Sequence, residues 1–457
     1  MPTLQPIVRI AADLQAGKTS SVGLTQAALA RIANPSGEGT RAYTRVYANA
    51  IDQAAEQDRR RTQGKVASPL AGIPISIKDL FDVAGETTLA GSKALVGYPP
   101  AGRDAEIVTR LKQAGVVIVG KTNMTEFAFS GLGLNPHYDT PRNPWDRKVG
   151  RIPGGSSSGA AVSVTDGMAA AAIGTDTGGS VRIPAALCGL VGFKPTAARV
   201  SRAGVLPLSR TLDSVGPIAP SVTCCALLDA ILAGERFDEL SPVPLASIRF
   251  AAPQRYVLDS MDTQVAAAFE QAKSKLAAAG AQIVEIAFAE VEEIPEINAK
   301  GGFTAAEAWA WHRNLIEARG ELYDPRVLTR IVRGKDISAE EVETLQRRRA
   351  DLMRRAQQVT AQFDALLMPT VPIVAPEIAP LVASDDAYAR TNMLVLRNPA
   401  IANFLDRCAL TLPCSQPGQP PVGLMLMGEH GADRRLLSVG LAVEKVLSLH
   451  REGDRLC

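Results

Sequence analysis

Aromatic side chains are scarce in this chain, only 5% of 457 residues, so its composition offers no broad stacking platform for bases or sugar rings. Histidine is scarcer still: there are four, and none stands in an H-x-x-x-H or H-x-H arrangement. A zinc or iron centre built on imidazole therefore has little to stand on, and no metal or other cofactor is expected. The six cysteines, Cys188, Cys224, Cys225, Cys408, Cys414 and Cys457, form no C-x-x-C pair and no regular spacing. This suggests neither a zinc ribbon nor a disulfide framework. Charge of one sign is also lacking: 49 basic residues face 47 acidic ones, a net charge of +2, without the basic excess of a nucleic-acid binder. No apolar run reaches the length of a membrane span, and the opening residues Met1 to Pro6 hold no basic segment followed by an apolar one. A cytoplasmic protein with no nucleic-acid or membrane partner is the expectation.

What is present is an ordinary globular balance, 46% hydrophobic and 21% charged, in a chain long enough to shield a catalytic group from water. Length alone suggests two or three domains. Helical periodicity runs from Ile7 to Ile32 with a break at Gly17–Ser20, and again from Ala48 to Gly64. A strand signal around Ile73, Ile75 and Ile77, a helix over Ala105–Ala114 and a buried strand at Val116–Val119 give a β-α-β texture and an α/β fold. Further helices are expected over Val265–Ala279, Ala339–Phe363 and Arg434–Leu449, with late strands at Ala365–Pro369 and Gly423–Met427. Between residues 150 and 196 glycine, serine and alanine crowd together. Embedded apolar runs such as Met168–Ile173 make this packed backbone around a site rather than a linker.

Two motifs mislead. Gly115–Thr122 matches the phosphate-loop pattern letter for letter, but its middle residues Val116, Val117, Ile118 and Val119 favour an extended strand over a loop that curls around phosphates. Gly155–Gly159 fits G-x-S-x-G with Ser157 at the centre. The preceding residues are polar and broken by Pro153, so the buried strand that a nucleophile elbow requires is missing. His137, in Asn135-Pro136-His137-Tyr138, is expected to be a hydrogen-bonding loop residue.

A hydrolase without a histidine base needs another group to activate its nucleophile, and a buried lysine kept neutral can serve. Lys78 ends an apolar strand, so its stem is expected to enter the core; taken alone, it reads equally as a lysine paired with Asp79. Gly178-Gly179-Ser180 precedes Val181-Arg182-Ile183-Pro184, and Pro184 suits a first helical turn. Ser180 would then lie near a helix N-terminus, where N–H groups of Thr177, Gly178, Gly179 and Ser180 could converge on an oxyanion.

Together these residues resemble the amidase signature family. Gly154-Gly155-Ser156-Ser157, followed by Gly174-Thr175-Asp176-Thr177-Gly178-Gly179-Ser180-Val181-Arg182-Ile183-Pro184 and Gly192–Thr196, is similar to the signature. Gly72–Asp79 and Lys121–Phe127 resemble upstream segments, while Leu366–Thr370 and Pro421–Leu424 fit more loosely. The likeness spans nearly the whole chain and is dense from 70 to 220. It implies one α/β/α domain, residues 1–457, around a large mixed sheet. It further implies Ser180 as nucleophile, Ser156 on a cis peptide bond as bridging serine, Lys78 as terminal base, and an oxyanion hole at Thr177, Gly178 and Gly179. Asp176 and Arg182 would support the loop rather than react.

The family cleaves C–N bonds of amides and related carbamates, ureas and glutamine, and the shared machinery extends to esters. The expected substrate is a small-molecule amide or carbamate, turned over by a monomer or homodimer. Met124 and Gly155 are expected at the substrate. Trp309, Trp311 and Leu315, within a helical region of about 290–363, either shape an apolar pocket or belong to the core. The alternative is a partner-dependent glutaminase-like amidotransferase subunit; Thr125 where that branch carries Asp, and Met425 where many members carry Gln, depart from it.

Overall fold

The computed structural model describes residues 4–448; Met1 to Thr3, Leu449, His450 and Cys457 lie outside the described residues. Eleven strands hydrogen-bond into one sheet. They are β1 (Tyr43–Val46), β2 (Pro74–Lys78), β3 (Val117–Thr122), β4 (Ala172–Asp176), β5 (Val191–Lys194), β6 (Ser214–Ala219), β7 (Arg249–Pro253), β8 (Gln282–Ile286), β9 (Ala365–Pro369), β10 (Ala409–Pro413) and β11 (Gly423–Met427). Their spatial order is β1-β3-β2-β4-β6-β5-β10-β11-β9-β7-β8. The sheet is mixed: β2 runs parallel to β3 and β4, β4 pairs antiparallel with β6, and β7 runs parallel to β8 and β9. With helices flanking it, this is one α/β/α domain, and the division into two or three suggested by length does not occur.

Every residue of β2, β3 and β4 is buried. Strands covered on both faces read as continuous apolar runs rather than alternating ones, which is why Ile73–Ile77 and Val116–Val119 stand out in the sequence. The phosphate-loop lookalike is therefore strand: Val117 pairs with Pro74 and Ile118 with Ile75, and Lys121 is buried 3.5 Å from Glu86. The Gly-Ser-Ala stretch packs as expected. Its helix Ser158–Thr165 is wholly buried against β2, β3 and β4, an approach that its Ser, Gly and Ala side chains permit. The expected helices form at Ile7–Gln15, Ser21–Ala33, Ala50–Thr62, Glu106–Gln113, Thr263–Ala278, Ala339–Thr360 and Asp433–Ser448. Among the described residues no helix is long and apolar enough to cross a membrane, and no cluster of potential metal ligands occurs.

The parallel trio β2, β3 and β4 ends on one side of the sheet, at Lys78, Thr122 and Asp176. In α/β sheets such carboxyl ends are where ligands gather. β6 starts at that edge, since Asp176 pairs with Ser214, and this brings Asp213 to the same place.

Candidate active site

Lys78 is the last residue of β2 and is fully buried. Its Nζ lies 2.7 Å from Ser156 Oγ and 2.9 Å from Thr175 Oγ1. The neighbour weighed from sequence, Asp79, is not its partner. Burial disfavours the ammonium and brings the Lys78 pKa down to about 7, although the carboxylates of Asp213 and Asp176 pull the other way. A lysine in this state holds a lone pair at neutral pH and can accept a proton from Ser156.

Ser156 follows a cis peptide bond from Gly155. Gly155 donates its N–H to Gly131 O at 2.8 Å, and a Cβ at 155 would stand 2.5 Å from Gly133 N, so glycine is required for this close approach. Ser156 O accepts from Thr125 N at 3.1 Å, and Ser157 N donates to Ser180 O at 3.3 Å. These bonds bring the Ser156–Ser157 and Ser180 loops side by side. Ser157 turns elsewhere, its Oγ donating to Thr175 O at 3.4 Å, and coil rather than a strand precedes it. The G-x-S-x-G reading fails on that geometry.

Ser180, 2% exposed, lies just before the helix Arg182–Cys188. Asp176 builds its loop. Asp176 Oδ1 accepts from Gly179 N at 2.8 Å, and Oδ2 accepts from Val181 N at 3.1 Å and Arg182 N at 3.3 Å. Arg182 and Asn403 complete the shell through Nη2 and Nδ2, each 2.9 Å from Asp176 Oδ1. Burial alone would raise the Asp176 pKa, but Arg182, Lys194 and Asn403 outweigh it and hold the carboxyl well below the usual range. The support role expected for Asp176 and Arg182 matches these contacts. The Gly179 N–H, expected with those of Thr177 and Gly178 to face an oxyanion, donates to Asp176 in this structure. Gly179 has φ +127°, and a Cβ there would meet Pro399 Cβ at 2.6 Å, so glycine alone lets the helix Asp385–Phe404 approach the loop this closely.

The Arg182–Asp176 pair is completely buried on both sides. Removing one partner of such a pair strands a charge, at a cost of about 3–5 kcal/mol. Arg182→Met is accordingly expected to lower unfolding stability by that order in denaturant titration. A change below ~1 kcal/mol would deny the pair its structural role.

Thr177 Oγ1 donates to Asp213 Oδ1 at 2.5 Å, and the same carboxylate accepts from Leu208 N and Ser209 N. Burial lifts the Asp213 pKa to about 6, with Thr177 and the two amides opposing. Sequence reasoning missed Asp213, Thr175 and Asn403 as parts of this site. Thr175 reaches Lys78 through strand pairing: Ile77 lies against Ile173, so Thr175 stands two residues further along β4.

Of the expected substrate contacts, Met124 is fully buried, its carbonyl accepts from Asn135 Nδ2 at 2.7 Å, and the next residue, Thr125, donates its N–H to Ser156 O. Trp311 joins a ring cluster with Phe127, His312 and Tyr323, its centroid 6.2 Å from Phe127. Leu315 is buried in the main core, and Trp309 packs against that core. His312 sits within the ring cluster, with Nδ1 2.9 Å from Tyr323 Oη. Burial lowers its pKa to about 3, which keeps it neutral. His137 Nε2 lies 3.0 Å from Glu126 Oε1, the hydrogen-bonding loop role expected of it.

Known proteins resemble this chain in sequence and in fold. The family described as Amidase matches residues 23–437. A 2-amino-5-chloromuconic acid deaminase from Comamonas testosteroni is 40% identical over 407 residues, covering 88% of this chain and 87% of its own length. A glutamyl-tRNA(Gln) amidotransferase subunit from Chloroflexus aggregans is 35% identical, covering 96% of this chain and 95% of its own. A crystal structure of an amidase superposes with a TM-score of 0.86 at 32% identity, over 96% of this chain and 99% of that one. By its signature residues, its eleven-stranded sheet and these matches, the chain belongs to the amidase signature family, whose members hydrolyse C–N bonds.

Proposed function

We propose that this protein is a serine amidohydrolase that cleaves the amide-type bond of a small molecule through an acyl-enzyme on Ser180. The contact that carries this reading is the buried Lys78 Nζ, 2.7 Å from Ser156 Oγ, with its pKa drawn down to about 7. Ser180 Oγ attacks the carbonyl carbon and passes its proton to Ser156, whose own proton moves to neutral Lys78. The tetrahedral oxyanion is held by N–H groups of Thr177, Gly178 and Ser180. Collapse breaks the C–N bond, Ser156 protonates the departing amine, and Lys78 returns its proton to Ser156. Water then attacks the ester by the same relay, releasing the carboxylic acid and restoring Ser180.

The Comamonas relative, named a deaminase, is compatible with cleavage of a C–N bond. Carbamates and esters expose the same carbonyl to the same serine and belong to the proposed range. A second reading, a glutaminase subunit that works only with a partner, draws on the Chloroflexus relative's name. Purified chain assayed with an aryl amide, an aryl carbamate and glutamine separates the two. Arylamine release without any added protein supports the hydrolase. Glutamine turnover that begins only on adding a partner favours the amidotransferase reading.

A further inference from the structure

The turn at residues 208–213 is held between two carboxylates. On its inner side Asp213 accepts from Leu208 N at 3.0 Å, from Ser209 N at 3.1 Å and from Thr177 Oγ1 at 2.5 Å. On its outer side Glu307, from the helix Gly302–Arg319, accepts from Ser209 Oγ and Thr211 Oγ1, each at 2.5 Å, and from Thr211 N at 3.1 Å. Hydrogen bonds to an ionised acceptor are the stronger kind, and three of them converge on this one side chain.

Ser209 joins the two sides. Its Oγ donates to Glu307 and its N–H to Asp213, while its carbonyl accepts from Asp213 N at 2.9 Å. Ser209, Asp213 and Thr177 are all buried, so a displacement of the turn has no solvent-exposed side chain to absorb it. Thr177 stands three residues before Ser180, in the loop whose N–H groups face the oxyanion in the mechanism proposed for this chain. Asp213 is also the stronger of the two carboxylates that favour the charged form of Lys78. The helix that supplies Glu307 is itself firmly docked. Four residues on, on the same face, Trp311 packs against Phe127, and Phe127 follows Thr125, which donates its N–H to Ser156 O.

We infer that Glu307 is a positioning residue: through Ser209 and Asp213 it holds Thr177, and with it the oxyanion loop of Ser180, in register with the rest of the site. The inference rests on the hydrolase reading. Groups that orient the residues touching a reacting atom set how closely the productive geometry is kept, and a rigid helix is a better support for them than a loop.

The test uses Glu307→Gln, Thr211→Val, Asp213→Asn and the double variant Glu307→Gln/Asp213→Asn, with circular dichroism as the folding control. Hydrolysis of an aryl amide and the rate at which a fluorophosphonate labels Ser180 are measured on each. Outright loss of an oxyanion donor lowers kcat about 10²- to 10³-fold, so loosening one through Glu307→Gln should lower kcat and the labelling rate roughly 10- to 50-fold, with KM within about threefold of wild type. Thr211→Val removes one of the three bonds and should lose about three- to fivefold; it carries the test if Glu307→Gln does not fold. Because Glu307 acts through Asp213, the double variant should fall only about two- to threefold below Asp213→Asn, whereas independent effects multiply. The acid limb of kcat/KM should move to lower pH in Glu307→Gln, as in Asp213→Asn, since a displaced Asp213 favours the Lys78 ammonium less and Asp176, the other carboxylate acting on Lys78, is untouched. Losses that multiply, a loss chiefly in KM, or wild-type kcat in the folded variants overturns the positioning role, while labelling of Ser180 in wild type leaves the hydrolase intact. A wild-type Ser180 that takes no label would instead bring down the hydrolase reading, and this inference with it.

Discussion

Lys78→Ala is expected to lower kcat about a thousandfold or more while the protein stays folded. Nothing else in the site can take the proton from Ser156. The nearby carboxylates, Asp176 and Asp213, are occupied by backbone and threonine donors. In wild type, kcat/KM should rise with pH as Lys78 loses its proton, with a midpoint near the value of about 7 to which burial brings it. The sign follows from the role: a base works in its unprotonated form, so activity is present above that pKa and lost below it. Asp213→Asn removes an anion that favours the ammonium form, and its acid limb should move to lower pH. Stopped-flow or plate-reader rates across pH 5 to 10, with circular dichroism as the folding control, check all three. Full activity in folded Lys78→Ala, or a profile flat through neutral pH, would remove lysine from the relay.

Ser180→Ala carries the largest expected loss, ~10⁴-fold or more in kcat, because a relay that acts as one unit fails when its nucleophile is absent. Stability should change little, since Ser180 is held through its backbone: its carbonyl accepts from Ser157 N, and the loop is fixed by Asp176. Substrate binding should persist in this variant, so KM or an inhibitor constant is expected to stay within a few-fold of wild type. A comparable loss in Ser157→Ala would point to the rival serine, which the structure engages with Thr175 O instead.

How much of this is legible in the sequence depends on how local each signal is. Lys78, Ser156 and Ser180 stand in ordered motifs, and the structure places Lys78 against Ser156 and the Ser180 backbone beside Ser157. The β-branched run Val116–Val119 identifies a strand despite its phosphate-loop spelling, because side-chain sterics at each residue decide that locally. Asp213 is illegible: it reaches Thr177 only because β6 returns antiparallel to β4, a pairing that sequence spacing does not reveal. The place of Gly179 in the turn suggests an oxyanion donor, yet the Asp176 side chain claims its N–H. The residues around 309–323 are ambiguous between core and pocket because helical spacing is the same for both; the structure packs Trp309 and Trp311 against the core cluster that holds Leu315.

The central claim, a covalent acyl intermediate on Ser180, is tested most directly by mass spectrometry of the intact protein during turnover of a slowly deacylating aryl ester, followed by peptide mapping. The account predicts a single added acyl group, located on Ser180, that disappears in Ser180→Ala and accumulates more slowly as the pH falls below about 7. An acyl group mapped to Ser157, or steady turnover with no covalent species while Ser180→Ala remains active, would contradict it.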